Sequence, residues 1–122
     1  MARILIVEDN LDLLHTMSEL LSQEHEVMAT DLGEHALEMV ERERPDLVMV
    51  DIQLPGIDGL ETGRRIKHAI GPVPVLVLSA LGQNADPRIR ESGCCDAFLS
   101  KPASLAKIRA KVDELLREQR LA

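Results

Sequence analysis

Runs of apolar residues alternate along the chain with stretches in which apolar residues recur every three or four positions. The runs are too short for helices and have no polar face, so they predict strands that are buried on both sides. These predicted strands cover residues 4–7, 47–50, 73–78 and 97–99, and a weaker, more polar strand covers residues 26–30. The more polar strand is expected at an edge of the sheet.

The stretches between the runs predict five amphipathic helices. Asn10 and Asp58 are suited to be N-caps of the first and third helices, and Gly33 leads into the second. Pro87 is suited to be the first residue of the fourth helix, with Asp86 as its N-cap, and the last helix begins near Ser104. The last helix is expected to bury Leu105, Ile108, Val112, Leu115 and Leu116. Strands and helices that alternate through short connections favour right-handed crossovers and a parallel sheet. Because the strands are apolar on both sides, helices must cover both faces.

The predicted fold class is therefore α/β, a three-layer doubly wound five-stranded parallel sheet flanked by five helices. A chain of 122 residues is long enough for one such domain with a core, and no repeat or linker divides it. Residues 1–122 are expected to form a single domain. In open sheets of this kind, ligands bind at the carboxyl ends of the strands where the strand order reverses. The site is expected beside the first and third strands.

Charge and composition narrow the range of partners. The net charge is −7, and the chain has one Phe and no Trp or Tyr. Such a sequence offers neither a basic face for phosphates nor rings on which bases could stack, so no direct contact with nucleic acid is expected. No apolar run approaches the roughly 20 residues of a membrane span, and the N-terminal run is too short for a signal peptide. We therefore expect no membrane contact and a cytoplasmic location.

The cysteines and histidines suggest no additional chemistry. Cys94 and Cys95 are adjacent, so a disulfide between them would be strained, and two thiols alone do not make a zinc site. The four histidines stand alone in the sequence and are expected on solvated helix faces or in loops.

Polar residues suited to one reaction follow four of the apolar runs. Glu8 and Asp9 follow the first strand, Asp51 the third, Ser79 the fourth and Lys101 the fifth. Each has an ordinary explanation when taken alone, as a cap, a solvated side chain or a hydroxyl at a strand end. Three carboxylates at adjoining strand ends, however, repel one another unless a cation lies among them. Oxygen ligands without His or Cys favour magnesium.

The same residues can transfer a phosphoryl group. A carboxylate, a magnesium ion, a lysine and a hydroxyl together can move a phosphoryl group onto the carboxylate. Lys101 and Ser79 supply hydrogen-bond donors suited to the phosphoryl oxygens. Because all of these residues occur in order after apolar runs, the functional interpretation is favoured over a set of unrelated structural roles.

With these residues in place, the chain resembles the receiver domain of two-component response regulators over essentially its whole length. The matching motifs are Val7-Glu8-Asp9-Asn10, residues 51–59, Leu78-Ser79-Ala80 and Lys101-Pro102. The resemblance implies a flavodoxin-like strand order, 2-1-3-4-5. It also implies that a sensor histidine kinase or a phosphotransfer protein phosphorylates Asp51. The protein would not be an enzyme acting on other substrates, since it would catalyse only its own phosphorylation and dephosphorylation.

The resemblance further implies a role for each residue around Asp51. Asp9 and Asp51 would bind Mg²⁺ directly, together with the main-chain carbonyl of Gln53. Glu8 would act on the metal mainly through bound water.

A conformational switch is also implied by the resemblance. Ser79 and Lys101 would contact the phosphoryl group, and the Lys101-Pro102 peptide bond is expected to be cis. Drawing Ser79 inward would leave space into which Phe98 could turn, although Phe98 has a simpler alternative as a core residue. The surface formed by the fourth predicted helix, the fifth strand and the fifth helix would then change, and a downstream effector protein or domain would detect it.

Three other classes of protein are alternatives to this interpretation. A flavin-binding electron carrier needs a phosphate-binding loop after the first strand, where Glu8 and Asp9 would repel a phosphate. A haloacid-type phosphatase needs a second Asp two residues after its nucleophile, and Gln53 stands there instead. The remaining alternative is a degenerate receiver, a protein-docking module that works without phosphorylation.

Overall fold

The structure, a computed structural model, describes residues 2–80 and 95–121. In chain order these residues form β1 (Arg3–Val7), α1 (Leu11–Ser22), β2 (Glu26–Thr30), α2 (Gly33–Glu43), β3 (Leu47–Asp51), α3 (Gly59–Ile70), β4 (Val75–Ser79), β5 (Ala97–Ser100) and α4 (Leu105–Leu121). Helix α4 corresponds to the fifth helix predicted from the sequence. The fourth predicted helix, which begins at Pro87, lies outside the described residues. None of the helices in the described ranges is long and apolar enough to cross a membrane.

The five strands form one parallel sheet in the order β2-β1-β3-β4-β5. This order confirms the predicted one, with the more polar strand β2 at an edge. Strand β1 pairs with both β2 and β3, so β2 lies on one side of β1 and the later strands lie on the other side. Since every strand points the same way, the residues that follow β1, β3, β4 and β5 all emerge at one edge of the sheet. This carboxyl edge is where the sequence predicted the site.

Two apolar clusters lie on opposite faces of the sheet because successive strand side chains point to opposite sides. One cluster joins α2 and α3 to strand residues that include Leu5, Val48 and Val77. The other joins α1 and α4 to strand residues that include Ile4 and Met49. Strands β3 and β4 are buried along their whole length. The sheet is thus covered by helices on both faces, and its carboxyl edge is held on a rigid base.

Two of the helices that begin at the carboxyl edge, α1 and α3, have the N-caps predicted from the sequence. The side chain of Asn10 accepts a hydrogen bond from the Leu13 N–H at 3.2 Å. The side chain of Asp58 accepts one from the Glu61 N–H at 2.9 Å. These bonds satisfy main-chain donors that have no partner inside the helix. They therefore fix where the loops after β1 and β3 end.

Several details of the sequence prediction were wrong, including the bounds of β1 and β3, each of which is one residue longer than predicted. Strand β4 begins at Val75 rather than residue 73, since Pro74 has no N–H to donate to a neighbouring strand. Strands β4 and β5 also extend one residue further, through Ser79 and Ser100. Leu105 was expected in the core but is 41% exposed. It is the first residue of α4 and lies one turn before Ile108, where the buried stripe of that helix begins.

We predict that Gly59→Ala strongly destabilises the fold. A Cβ atom at Gly59 would lie 2.0 Å from the carbonyl oxygen of Asp51 and 2.6 Å from its carbonyl carbon. Because both are backbone atoms, the start of α3 would have to move away from β3. The free energy of unfolding, measured by urea denaturation, should fall by about 2–3 kcal/mol.

Gly71→Ala is a matched control for this substitution. Gly71 has a φ of +88°, and no atom of the described residues lies within 4 Å of a Cβ atom built there, so the substitution adds mainly backbone strain. Gly71 lies in a backbone region that is essentially restricted to glycine, so this strain alone costs about 1–3 kcal/mol. A loss for Gly59→Ala well below about 2 kcal/mol would contradict the close contact with Asp51.

Candidate functional site

Three strands deliver charged residues to the carboxyl edge. Glu8 directly follows β1, Asp51 is the last residue of β3, and Lys101 directly follows β5. Glu8 is fully buried, and Asp51 is only 4% exposed. Strand β4 lies between β3 and β5, so the long side chain of Lys101 has to pass over the end of β4 to reach Asp51.

The Lys101 ammonium group joins the two buried carboxylates. Its Nζ atom lies 2.6 Å from Glu8 Oε1 and 2.7 Å from Asp51 Oδ2, and it donates a hydrogen bond to each. Such charge-assisted bonds are shorter and stronger than bonds between neutral groups. A buried carboxylate without a partner is costly, so Lys101 makes the burial of both acids tolerable.

The second oxygen of each buried carboxylate is held by the main chain. The Asn10 N–H donates to Glu8 Oε2 at 3.1 Å, and the Gln53 N–H donates to Asp51 Oδ1 at 3.1 Å. Each acid thus has one oxygen on Lys101 and the other on a loop N–H. These contacts fix the orientation of both carboxylates and tie the loops after β1 and β3 to the site.

Asp9 completes a cluster of three acids. One oxygen each from Glu8, Asp9 and Asp51 lies within 4.8 Å of the other two, and Asp9 is the exposed member. The cluster offers only oxygen donors, and Lys101 is the one ammonium group bonded to it among the described residues. This set of donors fits a hard divalent cation such as Mg²⁺, with Asp9 on the side that faces solvent.

Burial and charge shift the titration of Glu8 and Lys101. Burial raises the pKa of Glu8 to about 7, against the opposing effects of the bonds from Lys101 and the Asn10 N–H, and the negative charge of Asp51 raises it further. Burial alone would lower the pKa of Lys101, but the hydrogen bonds to Asp51 and Glu8 outweigh it and raise the pKa. Lys101 therefore stays charged, while Glu8 takes up a proton near neutral pH.

Ser79 and Lys101 meet through the main chain at the same edge. Ser79 is the last residue of β4 and is fully buried, and its carbonyl accepts a hydrogen bond from the Lys101 N–H at 2.8 Å. The Lys101-Pro102 peptide bond is cis. Phe98 is half-buried, pairs in register with Val77 and packs against the apolar cluster of α2 and α3. The role of Phe98 in a conformational switch stays a prediction.

A second group of possible metal ligands was not foreseen from the sequence. Ligand atoms of Glu24, His25 and Asp113 lie within 4.8 Å of one another. His25 lies in the turn before β2, as expected of a loop residue, yet its side chain is only 10% exposed. Its Nδ1 accepts a hydrogen bond from the Ala2 N–H at 3.1 Å, so the ring proton of neutral His25 is on Nε2. Since Nε2 then has no free lone pair for a metal, we assign no metal site to this group.

We predict that the metal-free protein loses stability as the pH rises toward neutrality. The pKa of Glu8 is about 7 in the folded protein against an ordinary value of 4.5, so the folded state binds its proton more tightly. The resulting stabilisation is complete below the ordinary value and is lost as the pH rises through the folded value. It amounts to roughly 3 kcal/mol. Glu8→Gln cannot ionise and should flatten this decline, measured by urea denaturation in EDTA between about pH 5 and pH 8.

The slope of stability against pH is the readout, because Glu8→Gln also changes the bonds to Lys101 and Asn10. Glu38→Gln, an exposed substitution on α2, is the control and should keep the wild-type slope. Parallel profiles for wild type and Glu8→Gln would show that Glu8 is not the group responsible.

Comparison with known proteins identifies the family to which this chain is similar. The response regulator receiver domain family matches residues 4–113. The polar-differentiation response regulator DivK of Brucella anthropi is 35% identical over 108 residues, which cover 85% of this chain and 87% of DivK. The transcriptional regulatory protein AfsQ1 of Streptomyces coelicolor is 33% identical over 119 residues, which cover 96% of this chain and 52% of AfsQ1. The chain thus spans about half the length of several of its relatives.

Solved structures show the same fold. The BeF3-activated DrrB receiver domain superposes with a TM-score of 0.86 at 29% sequence identity, covering 96% of this chain and 98% of that domain. The family match extends over most of the sequence, and the DivK alignment covers most of both proteins. The chain therefore belongs to the family of response regulator receiver domains.

Proposed function

We propose that this receiver domain accepts a phosphoryl group on Asp51 in a two-component phosphorelay. The observation that carries the proposal is the Lys101 ammonium group, which lies 2.7 Å from Asp51 and 2.6 Å from Glu8 beside the exposed acid Asp9. A nucleophilic carboxylate, a cation for the phosphoryl oxygens and an acidic cluster for Mg²⁺ thus meet at one edge of the sheet.

The donor is a phosphohistidine of a sensor histidine kinase or a phosphotransfer protein. A carboxylate oxygen of Asp51 forms the new P–O bond, and the P–N bond to the donor imidazole breaks with its electron pair remaining on nitrogen. Lys101 carries its charge at neutral pH and moves from the carboxylate toward the phosphoryl oxygens as the bond forms. The buried Ser79 hydroxyl is the second donor on this side of the site.

Asp9, Asp51 and the main-chain carbonyl of Gln53 would hold the magnesium ion, with Glu8 acting through water. When bound, Mg²⁺ offsets negative charge on the phosphoryl oxygens and on the acids. The Gln53 N–H already bonds to Asp51, which keeps the main chain of Gln53 beside the acceptor. The raised pKa of Glu8, about 7, fits a position that a divalent cation stabilises in its ionised form.

The aspartyl phosphate carries about 1.5–2 negative charges, compared with one on the free Asp51 carboxylate. Each new charge-assisted bond from Lys101 or Ser79 contributes roughly 1.5–3 kcal/mol, which is enough to move Ser79 and to let Phe98 reorient. The surface around β5, α4 and the helix predicted to begin at Pro87 then differs between the two states. A downstream effector protein or domain reads that difference.

The proposal also covers the domain organisation, the location and the catalytic activity of the protein. Residues 1–122 act as one receiver domain with five helices in three layers. The domain acts in the cytoplasm and catalyses only its own phosphorylation and dephosphorylation. The net charge of −7 does not favour direct binding of nucleic acid by this domain, so the output passes through a protein surface.

We predict that incubation with acetyl phosphate and Mg²⁺ adds the mass of one phosphoryl group, located on Asp51 by peptide mass spectrometry. Asp51→Asn should abolish the addition, and omission of Mg²⁺ should prevent it. Lys101→Ala should slow it by about tenfold or more, since it removes the cation that stabilises the transferring group. Asp113→Asn alters the other acidic group and should react like the wild type.

No mass gain on the wild type would contradict the proposal and favour the protein-docking alternative. A gain that persists in Asp51→Asn would place the acceptor elsewhere. Equal rates for Asp113→Asn and Lys101→Ala would show that Lys101 has no special part in the transfer.

A further inference from the structure

Glu34, near the start of α2, contacts the loop that follows Asp51. We call residues 52–58 the site loop, since they connect Asp51 to α3. Glu34 Oε1 accepts a hydrogen bond from the Ile57 N–H at 3.1 Å. Glu34 is exposed, and the sequence pattern gave no reason to connect it with the site.

The Glu34 carboxylate also lies directly against the main chain of Gly56. A Cβ atom at Gly56 would lie 2.5 Å from Glu34 Oε1 and 3.2 Å from its Cδ. Gly56 has a φ of +76°, a conformation that glycine adopts without strain. The absence of a side chain at Gly56 thus permits both the turn and the close approach of the carboxylate.

The position of Glu34 is fixed by the start of α2, which packs closely against its neighbours. Its N-cap residue, Leu32, makes no side-chain cap hydrogen bond. The bond from Glu34's own N–H and the bond from the Ile57 N–H lower the pKa of the Glu34 carboxyl, so this carboxylate serves both the helix start and the loop. A Cβ atom at Gly33 would lie 2.3 Å from Thr62 Oγ1 and 2.8 Å from Ile57 Cγ1, which shows how closely α2 is packed there.

The Asp51 end of the site loop is fixed by the sheet and by α3. The Ile52 N–H donates to the Leu78 carbonyl at 3.0 Å, and the Gly59 N–H donates to the Ile52 carbonyl at 2.8 Å. Gln53 is exposed and bonds to Asp51 through its N–H. The site loop is therefore attached at both ends, and Glu34 adds contacts at Gly56 and Ile57, in its second half.

We propose that Glu34 is a positioning residue that holds the site loop so that the main chain of Gln53 stays beside Asp51. Its role is to maintain the cation site without touching the cation or the phosphoryl group. This inference rests on the proposed function, because it assigns Glu34 to the same Mg²⁺ site. Ile57 and Gly56 are the contacts through which Glu34 acts.

The test compares Glu34→Ala and Glu34→Gln with Glu38→Ala, a control at an exposed position one turn later on α2. In Glu34→Ala, exchange of the Ile57 amide in the metal-free protein should become several-fold faster, and calorimetry should show Mg²⁺ binding weakened by roughly tenfold. The amide oxygen of Glu34→Gln can still accept the bond from Ile57, so this variant should stay closer to the wild type. Glu38→Ala should change neither quantity.

A lower melting temperature for Glu34→Ala, with unchanged Ile57 exchange and unchanged Mg²⁺ affinity, would overturn the inference and leave Glu34 as a helix cap. Failure of the wild type to bind Mg²⁺ would instead overturn the proposed function. Exchange of the Ile57 amide would still decide whether Glu34 holds the loop.

A second variant tests the contact at Gly56. Gly56→Ala should lower the melting temperature less in the Glu34→Ala background than in the wild type, because the crowded carboxylate is then gone. Equal losses in the two backgrounds would show that Glu34 does not press against the loop.

Discussion

The ammonium group of Lys101 is the interaction on which the carboxyl edge of the sheet depends. It bonds to Glu8 after β1 and to Asp51 at the end of β3, and its own main chain bonds to Ser79 at the end of β4. The single residue Lys101 therefore connects its own strand β5 to the ends of β1, β3 and β4. Removing it would leave two buried acids without their cation, a loss of about 3–5 kcal/mol in comparable buried pairs. The same ammonium group is the charge that a phosphoryl group on Asp51 would meet first.

The three acids at the carboxyl edge repel one another, and the fold tolerates this repulsion. Three acids lie close together beside one ammonium group, and burial, assisted by the negative charge of Asp51, raises the pKa of Glu8 to about 7. The apolar clusters on both faces of the sheet keep the strand ends in place despite this repulsion. A cation among the acids would relieve it. The close contact of Gly59 with Asp51 and of Gly56 with Glu34 keeps the intervening loop from drifting away from the cluster.

Much of the fold could be predicted from local patterns. The apolar run before Asp51 and the caps at Asn10 and Asp58 are local signals, and the rule that parallel strands end at one edge brought the site residues together. Features that depend on contacts between distant segments could not be predicted. The side chain of His25 is only 10% exposed and bonds to the distant Ala2, and Glu34 meets the site loop because α2 packs beside α3. The spacing of apolar and polar residues along the sequence does not predict contacts of this kind.

Thermal unfolding with and without Mg²⁺ at slightly alkaline pH tests the central claim most directly. A cation that binds only the folded protein raises the melting temperature by mass action. We expect Mg²⁺ to raise it for the wild type and for Asp113→Asn, and to have little effect on Asp9→Asn, which removes the exposed acid and leaves the bonds of Lys101 in place. No rise for the wild type, or an equal rise for Asp9→Asn, would contradict a cation site built from Glu8, Asp9 and Asp51.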